Sequence, residues 1–93
     1  MKYLANVKLY EFNNKKVGEQ LLDTGFFMEG SIPVYNILCD VLKTANQFID
    51  NKLFIIYIFV EGISTFGDYY EVKVNKNDID VNVHYIYRNN IGG

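Results

Sequence analysis

Both ends of the chain alternate between apolar and polar positions. Between them lie a stripe at helical spacing and one run that is apolar throughout. Residues 3 to 12, YLANVKLYEF, put Tyr3, Ala5, Val7 and Leu9 in one phase and Leu4, Tyr10 and Phe12 in the other. A period of two predicts a strand. Asn13-Asn14-Lys15-Lys16 follows as a polar turn. Val17 to Met28 is open to two readings. It is either a strand bent near Gly25, paired back on the first as a hairpin, or one or two helical turns with Val17 and Leu21 stacked and Gly25 as the stop. The bent strand is preferred.

Gly30-Ser31-Ile32-Pro33 has the chemistry of a helix start. A serine accepts from the first free amides, and a proline in the first turn loses no needed donor. Val34, Leu38, Val41, Leu42, Ala45, Phe48 and Ile49 then recur at three and four, with Asn36, Asp40, Lys43 and Gln47 opposite. That stripe predicts one amphipathic helix ending near Asp50-Asn51. Leu53 to Val60, LFIIYIFV, is apolar at every position and rich in β-branched and aromatic residues. Such a run predicts a strand covered on both sides. After Gly67-Asp68, Tyr70, Val72 and Val74 alternate with Tyr69, Glu71 and Lys73. Asn75 to Asp78 reads as a hairpin loop. Ile79, Val81, Val83, Tyr85 and Tyr87 then alternate with Asp80, Asn82, His84, Ile86 and Arg88. Each is a half-buried strand with one wet face.

The element order is therefore β-β-α-β-β-β, an α+β domain spanning residues 1 to 93 with 89 to 93 as a flexible tail. A right-handed crossover through the helix sets the third strand beside the first. The expected architecture is one antiparallel five-stranded sheet of order 2-1-3-4-5, with the helix on one face. The other face then lacks a cover from within the chain. It takes the alternate phase of each strand: Tyr10, Phe12, Tyr69, His84, Ile86 and Arg88, with the alternate residues of the third strand. An apolar, aromatic patch on a charged surface marks a contact site.

Composition agrees with a dense small core: 49% of residues are hydrophobic and 16% aromatic, with one proline and seven glycines. A net charge of −2 argues against a nucleic-acid backbone binder, whose domain is usually strongly basic. Lysine outnumbers arginine eight to one, and Asn, Ile and Tyr are frequent, which points to an AT-rich coding source such as a low-GC bacterium or its phage. Cys39 is the only cysteine, so no intramolecular disulfide forms. The opening MKYLANVKLYEF has no sustained apolar stretch or cleavage site, and the eight-residue apolar run falls far short of the ~20 residues of a spanning helix. A cytoplasmic protein is expected, with no membrane partner.

Candidate chemistry is sparse. His84 is the only histidine, and no CxxC or HxxxH spacing accompanies it, so neither a metal nor another cofactor is expected. Cys39 falls mid-helix, away from any help by the helix dipole. Glu61, Asp68 and Glu71 bracket the segment FVEGISTFGDYYE, and Glu61 and Asp68, with His84, offer acid/base groups for a small hydrolase or ligand-binding protein. Turn chemistry with Gly62 and Gly67 explains the two acids equally well. No glycine-rich phosphate loop is present.

The chain ends Asn89-Asn90-Ile91-Gly92-Gly93. A Gly-Gly after a final strand resembles the tails of ubiquitin-like proteins and of small sulfur carriers. The resemblance implies activation of the terminal carboxylate of Gly93 as an acyl adenylate. It covers five residues and a loosely similar β-β-α-β order. Three consecutive strand-like segments after the helix depart from that pattern.

The leading expectation is a small non-catalytic protein-binding module of inhibitor, immunity or phage-accessory type. It would act through the uncovered aromatic face or as a homodimer. The carrier and the hydrolase or ligand-binding readings are the alternatives.

Overall fold

The computed structural model describes residues 2–29, 34–60 and 67–83. The described residues form five strands and one helix: β1 (Lys2–Asn13), β2 (Lys16–Glu29), α1 (Val34–Thr44), β3 (Leu53–Val60), β4 (Gly67–Asn75) and β5 (Asp78–Val83). The strands form one sheet of order β2-β1-β3-β4-β5, antiparallel at every pairing. This is the α+β architecture and the strand order that the sequence pattern predicts.

The apolar run forms β3, flanked by β1 and β4. Its even positions, Phe54, Ile56 and Ile58, join Ala5, Val7 and Leu9 of β1, Val72 and Val74 of β4 and Ile79 of β5. Ile37, Leu38, Val41 and Leu42 of α1 close over them. Burying one such side chain stabilises the fold by about 1.5–3 kcal/mol. Its odd positions face away from α1. Ile55 is fully buried there with Phe12 and Tyr69, and Tyr10, Val17 and Tyr57 pack against them. The strand is apolar on both faces because it meets a separate apolar cluster on each.

The β1–β2 hairpin turns through Asn14 and Lys15, at φ 52° and 62°, with Asn13 paired to Lys16. Two central residues of positive φ make the tight turn whose twist matches a hairpin. Residues 17 to 28 are strand, not helix. The ladder is not interrupted at Gly25: pairing runs regularly from Lys2↔Glu29 to Leu9↔Leu22. The irregularities fall beside Tyr10, between Leu9 and Phe12. Gly25 serves another purpose, since a Cβ at that position would come within 3.2 Å of Leu4 Cδ1.

Helix α1 is shorter than its apolar stripe. It stops at Thr44, not near Asp50. Asn46 adopts φ 56°, its N–H donates to the Lys43 carbonyl (3.1 Å), and the Gln47 N–H donates to the Leu42 carbonyl (2.8 Å). This is the Schellman arrangement of a helix C-terminus. Ala45 and Phe48 stay apolar because the chain beyond the cap still packs on the core. The Asn51 N–H then donates to the Val74 carbonyl (2.8 Å), and the Val74 N–H to the Lys52 carbonyl (2.9 Å), which ties the connection to the end of β4. The expected helix start at Ser31 and Pro33 lies outside the described residues, as do positions 84 to 88 of the last strand and the tail.

Candidate functional site

The strand register arranges the face opposite α1 in rows. Antiparallel partners share a face, so Gly25, Asn6, Phe59 and Gly67 form one row across four strands. Asp23, Lys8, Tyr57 and Tyr69 form the next. Tyr10 and Ile55 follow, in line with Glu71. On the other side of the glycine row, Leu4 pairs with Phe27. Phe26, the neighbour of Phe27, packs toward α1, so Phe27 points to the opposite face, where its side chain is 79% exposed.

Three of the residues expected at an interface, Tyr10, Phe12 and Tyr69, meet in one cluster on this face. Two of them are already enclosed: Phe12 keeps 5% of its surface and Tyr69 6%. The Tyr69 ring stacks on Tyr57, with centroids 4.5 Å apart and planes 28° from parallel. Such a pair contributes about 0.5–1.5 kcal/mol beyond its buried area. Tyr10 is the accessible member of the three. Burial, and then the nearby Asp23 carboxylate and Tyr57, raise its hydroxyl above the ordinary phenol value. It is therefore a neutral hydrogen-bond donor throughout the physiological range. His84, Ile86 and Arg88 lie outside the described residues.

Beside this cluster, Asn6, Lys8, Asp23, Tyr57 and Phe59 line an open depression of about 450 Å³. Its floor is aromatic and its rim holds one charge of each sign. The phase of β1 and β3 in the sequence marked Tyr57 and Phe59 as members of this face. Lys8, Asp23 and Phe27 were not singled out: Lys8 shares the phase of Tyr10 but is charged, Asp23 joins the face only through its pairing with Lys8, and Phe27 stands beside a second phenylalanine, Phe26, so that alternation does not say which of the two turns outward.

Of the acid/base candidates, only Asp68 lies within the described residues. Asp68 accepts a hydrogen bond from the Tyr70 hydroxyl at 3.5 Å, on the phase of β4 that packs with α1. Glu61 and His84 lie outside the described residues, as do Gly92 and Gly93. Cys39, on α1, is half-buried against the core. No three His, Cys, Asp or Glu side chains gather into a metal-binding group among the described residues. None of the described helices is long and apolar enough to cross a membrane. Compared with protein-family models, characterised proteins and solved structures, the chain matches none.

Proposed function

We propose that this chain is a small non-catalytic protein-binding module, of the inhibitor, immunity or phage-accessory kind, working through the sheet face opposite α1. One observation carries the reading. α1 covers a single face of the sheet, while the opposite face presents Tyr10, Tyr57, Phe59 and Phe27 around a depression with charged edges. Aromatic side chains within a polar rim are the composition of protein interfaces. Tyrosine supplies large contact area at low entropic cost, with a hydroxyl to orient the partner.

Phe59→Ser tests the reading. The ring is half-buried in the depression and outside both buried clusters, so the variant should stay folded with a lowered unfolding midpoint. Tagged wild-type and variant proteins are compared for capture of a partner from source cells. At least a tenfold loss of capture is expected, the size of a modest hot spot. Unchanged capture by a folded Phe59→Ser protein overturns the reading.

A further inference from the structure

The aromatic face holds a knob and a socket at once. Phe27 projects from β2 with 79% of its surface exposed. The depression lined by Asn6, Lys8, Asp23, Tyr57 and Phe59 opens on the same face, four residues away along β2 at Asp23. Between knob and socket lies Gly25, opposite Asn6 in register. A two-fold contact needs one patch that complements itself: residue i meets j, and j meets i. A projecting ring and an aromatic hollow on one face meet that condition when the axis passes between them.

We propose that this face closes on a second copy of the chain, the Phe27 ring of each copy seated in the depression of the other. The inference rests on the reading of this face as a binding surface and names its occupant. In that arrangement Tyr57 and Phe59 receive the incoming ring. The Lys8 ammonium at the rim stands within reach of its π face, a favourable contact for a partly desolvated cation. The face is large enough. The molecule extends 38 × 31 × 19 Å, so its broad side offers on the order of 1,000 Å², against about 800 Å² per partner in a stable interface. Among the described residues the one helix, α1, packs on the other face of the sheet.

Sedimentation of the intact protein over a range of concentrations tests the proposal, with Phe27→Ser, Lys8→Glu and Ile49→Ser as variants. Ile49 is 45% exposed in the connection between α1 and β3 and reports on unspecific apolar association. The expected result is a dimer mass for the wild type and for Ile49→Ser. Phe27→Ser should weaken the dimer at least tenfold, the loss of about 1.4 kcal/mol. Lys8→Glu should weaken it by a smaller factor. Unfolding midpoints of the variants report that each remains folded, and Phe27, being exposed, is not needed for the fold. A dimer that survives Phe27→Ser, or one that dissolves with Ile49→Ser, overturns the proposal. A monomeric wild type overturns the second copy as occupant. It leaves the face itself to the Phe59→Ser capture experiment, which reads a different partner.

Discussion

Gln47 carries a side-chain carbonyl that is buried and meets no hydrogen-bond donor among the described residues. A buried acceptor without a partner costs about 1–3 kcal/mol of desolvation. The residue also occupies the second position past the helix end, where a hydrophobic side chain commonly packs back on the last turn. Gln47→Leu removes the stranded oxygen and supplies that contact. Urea denaturation should show a gain of about 1 kcal/mol, with an unchanged slope. A loss would show that Gln47 finds a donor in solution. The sequence placed Gln47 on the polar side of a continuing helix. Its burial became visible only once the helix was seen to stop before it.

At the scale of elements, the length of α1 is set by Asn46 and not by the apolar stripe. Asparagine tolerates the left-handed conformation that the cap requires, and a β-branched residue does not. Asn46→Val should cost about 1–2 kcal/mol, while Asn46→Gly should be neutral or stabilising by a few tenths. Thermal unfolding of the pair checks the order, and equal midpoints would refute the cap as the cause of the helix end. Ala45 and Phe48 kept the helical spacing because an irregular segment lying on the same core also needs apolar residues, whereas Ile49, the last of the stripe, is exposed. Periodicity reads what a side chain touches, and here it could not tell the last helical turn from the loop after it.

At the scale of the molecule, α1 and β5 are joined through Tyr35, whose hydroxyl donates to Asp78. The same carboxylate accepts the Ile79 N–H at 2.8 Å. The Tyr35 bond, and then the Ile79 bond, hold Asp78 below the ordinary carboxylate value, and the shared bond raises the Tyr35 hydroxyl. The sign follows from linkage. A carboxyl whose folded pKa is depressed stabilises the fold above its unfolded pKa of about 3.9, and that contribution is lost as pH falls through the depressed value. Tyr35→Phe should therefore flatten the acid limb of the stability–pH curve below about pH 5, and the Asp78 titration followed by NMR should move upward. An Asp78 titration unmoved by Tyr35→Phe would sink the link. Nothing in the spacing of residues 35 and 78 announces this contact. Asp50 is similar: it lies next to the expected helix end, yet its carboxylate accepts the Lys76 N–H of a distant turn at 2.7 Å.

The amino-acid sequence by itself determined the elements and their order in the sheet. A strand apolar on both faces is stable only where both faces are covered, and LFIIYIFV could lie nowhere but between two others. One helix for five strands likewise determined that a face would be left to aromatic residues. Tertiary structure alone decided which of those residues remain available. Phe12 and Tyr69 close over Ile55, whereas Phe27 turns outward beside the hollow over Tyr57 and Phe59. The reason is register. Phe27 pairs with Leu4, past the last described β1–β3 pair at Ala5↔Val60, so among the described residues no third strand flanks it, and which residues fall past that end follows from how the strands meet and not from their alternation.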